Sequence, residues 1–156
     1  MDEDRPKRQA ARVSRIITFF TAPGHEAASA VVETGPAGIF ASQTWGNFDP
    51  EDAMVVWESF LTGRNLDELL DDGEPETVAD PDEGRGPAVL VSSPALQKAL
   101  ADTDRSRIGQ AGRHWMEQQA SEGTAMDQET AEEILHSLAD LARSARPGDR
   151  LYCWTT

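Results

Sequence analysis

Cysteine is almost missing from this chain, with Cys153 the only one in 156 residues. A lone cysteine forms no internal disulfide and supplies neither a metal-ligand pair nor a redox CxxC, which excludes disulfide scaffolds and thioredoxin-like chemistry. Cys153 is expected to be a buried small apolar residue. A nucleophilic thiolate needs a base beside it, and the candidates His25, His114 and His136 are all distant in sequence. Long apolar runs are missing too. The longest are a few residues, far short of the ~20 that cross a bilayer, and the opening "MDEDRPKRQAARVS" lacks the apolar centre of a signal peptide. The expected location is the cytoplasm, with no membrane partner.

Positive charge is the third shortage: 14 Lys and Arg stand against 28 Asp and Glu, a formal net charge of −14. Phosphates are attracted by clustered Lys and Arg, so direct nucleic-acid binding is disfavoured. The imbalance is concentrated. From Asp49 to Glu83 there are thirteen carboxylates and one basic residue, Arg64, whereas Arg5, Lys7, Arg8, Arg12 and Arg15 gather near the start. Such a field keeps a protein soluble, and it also accelerates encounter with a basic partner.

What is present is the material of one soluble domain, 38% hydrophobic and 27% charged, at a length that builds a single core. Residues 1 to 14 mix charge with Pro6 and read as a flexible arm. "RIITFFTAP" (15–23) is apolar on both faces, as suits a strand buried on both sides. "GHEAASAVVETGP" (24–36) has helical spacing and ends at Gly35 and Pro36, and "GIFASQTWG" (38–46) alternates as a strand does. Asp49, Pro50 and Asp52 then open a helix that Gly63 closes. Its stripe of Met54, Trp57 and Leu61, widened by Val56 and Phe60, predicts a core face, with Glu51, Asp52, Glu58 and Ser59 on the polar side.

A short helical turn from Asn65 leads into residues 72–86, an acidic, Pro- and Gly-rich stretch expected to be a mobile loop. "PAVLVSS" reads as a central strand, and Ser93 followed by Pro94 caps a helix through Leu96 and Leu100. The next helix carries Ile108, Ala111, Gly112, Trp115 and Met116, where Gly109 and Gly112 predict close packing against another element. From Asp127 a long apolar stripe runs to Ala145, and "RLYCWTT" makes a terminal strand. These elements predict an α+β domain over 15–156, with about four strands in a sheet, about five helices packed on it and the terminal strands interior.

No catalytic constellation, cofactor site or metal site emerges. The acidic stretch lacks the oxygen spacing, glycine and terminal glutamate of a calcium loop, and "GRGPAV" lacks the ending of a phosphate loop. Glu133 and His136 are spaced as in di-iron bundles, which need a second such pair that the chain does not contain.

Trp57 ahead of Leu61-Thr62-Gly63, "GPAVLVSSPALQKAL" carrying a strand into a capped helix, and the closing "LADLARSARPGDRLYCWTT" together resemble the YfbM-like family of small bacterial proteins. The similarity runs in order through most of 15–156, without a longer tyrosine-containing segment before the last helix. It implies an α+β fold with no established catalytic residues.

Two functional expectations follow. The first is a non-catalytic module whose acidic face, Asp67, Glu68, Asp71, Asp72, Glu74 and Glu76, with support from Glu117, Glu122, Glu129 and Glu132, receives a basic protein partner. An immunity protein or an inhibitor of a nucleic-acid enzyme has this character. The second is a small-molecule binder or enzyme with a pocket near the strand ends formed by His25, Trp45, Arg113 and His114.

Overall fold

A computed structural model describes residues 15–156 apart from Glu74; the arm expected over residues 1–14 lies outside the described residues. In chain order the elements are β1 (Ile16–Ala22), α1 (His25–Ser29), β2 (Ser42–Gly46), α2 (Pro50–Thr62), α3 (Leu66–Asp71) and β3 (Glu76–Ala79). After these come β4 (Ala88–Val91), α4 (Pro94–Asp102), α5 (Arg105–Ser121), α6 (Gln128–Ser144) and β5 (Arg150–Thr155). The fold is α+β. Its strands form one antiparallel sheet in the order β2-β1-β5-β4-β3, so the first and last strands lie side by side in the interior. No described helix is long and apolar enough to cross a membrane.

Both faces of the sheet are covered, which is why β1 and β5 are apolar at nearly every position. On one face Ile17, Phe19, Leu90, Leu151 and Cys153 meet α2, α4, α5 and α6 through Met54, Leu100, Ile108 and Leu135. Trp57 is only 1% exposed and lies 5.0 Å from Trp115, 5.8 Å from Phe19 and 6.2 Å from Phe48, ring centre to ring centre. It is a core anchor, as its helical spacing predicts. On the other face Phe20, Val89, Val91 and Tyr152 lie under α1 and the chain that follows it, through Ala28, Val31 and Val32. Trp154 Nε1 ties that cover down by donating to the Val32 carbonyl at 2.8 Å. Cys153 is buried on the helical face, and burial holds its thiol far above the ordinary range. A thiol so placed is inert.

Local signals set the helix ends. Asp49 accepts from the N–H groups of Glu51 and Asp52, Pro50 takes the first helical position, and Gly63 closes α2 at φ 80°. Gly112 sits where α5 meets α6: a Cβ there would lie 2.8 Å from Glu132 Cα and 2.9 Å from the Ala131 carbonyl oxygen. Only glycine allows that approach.

Four expectations need correction. The helix over 24–36 lasts only from His25 to Ser29, because Gly24 offers no side-chain cap and Val31 and Val32 bond back three residues rather than four. The strand over 38–46 begins only at Ser42, since Gly38 adopts φ 82° in a turn after Pro36. The stretch 72–86 contains β3, which pairs with β4 as Glu76↔Val91 and Thr77↔Leu90. That adds a fifth strand, and with α3, expected only as a short helical turn, the described helices number six.

Candidate functional site

The acidic surface is organised by the junction of α2 and α3. After Gly63 the chain turns through Arg64 to Asn65, whose side chain accepts from Asp67 N–H at 2.8 Å and Glu68 N–H at 3.4 Å and so caps α3. Helix α3 spans six residues and is anchored by Leu69, which is fully buried. The helix cannot bury its other leucines as well. Leu66 stays 36% exposed and Leu70 54% exposed, one turn apart on the same side.

Asp67, Glu68, Asp71 and Asp72 are all exposed around this pair. No ion pair joins Asp67, Glu68 or Asp71 to a described residue. Asp72 differs. It accepts from Arg64 Nη2 at 2.8 Å, and that bond raises the guanidinium pKa further above its ordinary range. Asp72 therefore serves the α2–α3 junction, while Asp67 and Asp71 have no described counter-charge and Glu68 acts on Arg64 only at longer range. Glu76 is exposed at the head of β3, and Glu74 lies outside the described residues. Of the supporting carboxylates, Glu117, Glu122 and Glu129 are exposed, while Glu132 is half-buried and held by Gln128 at 2.9 Å.

One carboxylate contradicts its expected place. Glu58, on the side of α2 read as polar, is 2% exposed. Its Oε1 accepts from Ser93 Oγ at 2.7 Å, and the same hydroxyl accepts from Leu96 N–H at 3.0 Å as the cap of α4. Among the described residues Glu58 Oε2 is buried with no hydrogen-bond partner, and Arg64 Nη1 lies 4.0 Å from it. The crevice beside it, lined by Met54, Val55, Pro75 and Leu96, is too narrow for a water molecule. Glu58 thus ties α2 to α4; only a contact from Ser93, 35 residues on, reveals this.

The second set of residues does not converge. His25 is on the sheet face opposite α5, where its Nδ1 and the Tyr152 hydroxyl share a hydrogen bond of 2.8 Å. Burial raises the Tyr152 phenol pKa. Trp45, opposite Ile17 in the β1–β2 register, packs against the helical face. Arg113 points from α5 to Glu132 at 3.7 Å. His114 stacks on Phe60 at 4.8 Å, with the Arg107 guanidinium 4.2 Å from the same ring. His25 is thus on the opposite sheet face from Trp45, and no described contact joins any two of the four. Among the described residues, no group of three or more His, Cys, Asp or Glu is arranged to hold a metal. Glu133 is exposed and His136 half-buried, with the His136 pKa lowered first by burial and then by Arg105.

No family model matches this chain, and no curated protein or solved structure shows significant similarity to it. The surface itself has to supply the functional argument.

Proposed function

We propose that this protein is a non-catalytic binding module whose α3 surface receives a basic protein partner, in the manner of an immunity protein or of an inhibitor that mimics a polyanion. The observation that carries the reading is the pair Leu66 and Leu70, exposed one helical turn apart beside Asp67, Glu68 and Asp71, none of which forms an ion pair with a described residue. Apolar anchors inside a charged rim are the usual anatomy of a protein interface. The leucines supply burial on contact. The carboxylates supply steering and reject acidic competitors. A charge of −14 strengthens both roles of the rim.

Affinity capture at low and high salt tests this reading. The wild-type chain should retain a basic protein at low salt and release it at high salt, and the double variant Leu66→Ser/Leu70→Ser should fail to retain it. A captured set indifferent both to salt and to the two leucines would refute the reading.

A further inference from the structure

We propose that the cleft between the C-terminal ends of α4 and α6 and the turn into β5 binds a small molecule carrying a phosphate monoester, with Arg146 and Arg150 as its recognition groups. The cleft has a volume of about 460 Å³, a size common among small-molecule sites. It shares no residue with the α3 surface. It also lies at the end of β5 away from Arg15, since Arg150 pairs with Ala22 whereas Thr155, at the other end, pairs with Ile17.

Five charged side chains line the cleft: Lys98, Asp102, Arg146, Asp149 and Arg150. Three cations against two carboxylates leave the cleft positive, in a chain whose net charge is −14. Lys98 is paired with Asp102 at 2.7 Å. The arginines are not so paired, because neither Arg146 nor Arg150 forms an ion pair with a described residue. Arg150 is the more telling of the two. It is half-buried, its Nη2 donates to the neutral Ser92 carbonyl at 2.8 Å, and its Nε is buried with no partner among the described residues. An arginine cannot shed its proton to escape such a place. A guanidinium held only by a neutral carbonyl has lost hydration without gaining a counter-charge, and an anion entering the cleft supplies one.

The cleft is preformed. Pro147 and Gly148, the latter at φ 93°, stop α6, and Asp149 closes a tight turn by donating its N–H to the Arg146 carbonyl at 2.9 Å and accepting from the Arg146 N–H through its carboxylate at 3.3 Å. Gln97 on α4 holds that turn. Its Nε2 donates to the Asp149 carbonyl and its Oε1 accepts from the Leu151 N–H, both at 3.0 Å. A ligand therefore meets arginines whose backbone is already ordered. Ala101, Ala142 and Ala145 in the walls are small and apolar and leave room for an organic body. Guanidinium forks match phosphate and carboxylate oxygens alike, and charge decides between them. A phosphate monoester carries about −1.5 to −2 and three free oxygens, so one group can engage both arginines, whereas a single carboxylate offers one charge and two oxygens.

NMR shifts of the backbone amides and arginine Nε–H groups of the full chain, followed on titration with glycerol 3-phosphate at constant ionic strength, test the proposal. Saturable shifts should centre on Gly148, Asp149 and Arg150, and inorganic phosphate should move the same signals. Succinate, the carboxylate control, should bind more weakly. Arg146→Gln, at an exposed side chain, should raise the dissociation constant about tenfold. Arg85→Gln, in the loop between β3 and β4, should leave it unchanged. Shifts that do not saturate or that scatter over the surface, an unchanged dissociation constant in Arg146→Gln, or tighter binding of succinate than of the phosphate ester overturns the proposal. If Arg146→Gln does not fold, the wild-type shifts and the succinate comparison decide alone.

Discussion

Replacing Gly112 by alanine, with Gly109→Ala as its control, tests the packing of α5 against α6 quantitatively. Both glycines are interior to one helix, so both substitutions gain the same intrinsic propensity, about 1 kcal/mol. Their surroundings differ. At Gly109 the nearest atom to a new Cβ is His136 Nε2 at 3.5 Å, an ordinary contact, so the propensity gain survives. At Gly112 the new Cβ would lie 2.8 Å from Glu132 Cα, 2.9 Å from Ala131 O and 3.0 Å from Glu132 N. These are backbone atoms of a well-packed helix and cannot move aside as a flexible side chain would. Overpacking at the upper end of its usual range costs about 3 kcal/mol, which leaves a net loss of about 2 kcal/mol after the propensity gain. For a chain of this size Gly112→Ala should lower the melting temperature by about 4–8 °C and Gly109→Ala should raise it by about 2–4 °C. Thermal and denaturant unfolding of the three proteins side by side is the assay. Equal stabilities for the two variants, or a more stable Gly112→Ala protein, would show that α5 and α6 are not in this contact.

Trp57→Ala removes the ring that joins Phe19, Phe48 and Trp115 and should cost about 3–5 kcal/mol in denaturant unfolding; unchanged stability would place Trp57 on the surface. Ser93→Ala deletes both the cap of α4 and the donor to buried Glu58, so a loss of about 2–4 kcal/mol is expected, and Ser93→Thr should recover part of it. Burial holds the folded-state pKa of His136 below its ordinary 6.5. The fold therefore prefers the neutral ring, and this contribution to stability is present above pH 6.5 and is lost as pH falls towards the folded value. The difference in unfolding free energy between wild type and His136→Gln should shrink over that window; a difference that grows on acidification would reverse the sign of the argument.

Local chemistry was legible in the sequence and long-range contact was not. Asp49 and Ser93 satisfy N–H groups two or three residues away, so their caps could be read from neighbouring letters. The two-sided apolarity of β1 and β5 likewise announced a sheet covered on both faces. β3 was hidden because four residues among prolines, glycines and carboxylates carry no period that distinguishes them from a loop; they are a strand because β4 lies beside them. Glu58 looked solvated because its polar partner arrives with α4. His25 and Tyr152 are 127 residues apart and meet only once the strands are ordered. As for the acidic surface, the sequence located the carboxylates but not the leucines among them, since a helical pattern assigns leucine to the core and α3 is too short to turn more than Leu69 inward.

The most direct test of the binding role is the association rate of the captured basic partner across a salt series, for wild type and for Asp67→Asn/Glu68→Gln/Asp71→Asn. Asp72 is left intact in that variant because its bond to Arg64 holds the α2–α3 junction. If the carboxylates steer encounter, wild-type association should be fast at low ionic strength and fall steeply as salt shortens the Debye length to ~8 Å at physiological strength. The variant should associate slowly at low salt and converge with wild type at high salt, with dissociation nearly unchanged. An association rate indifferent both to salt and to the three neutralisations would contradict the account and leave the acidic surface as a determinant of solubility alone.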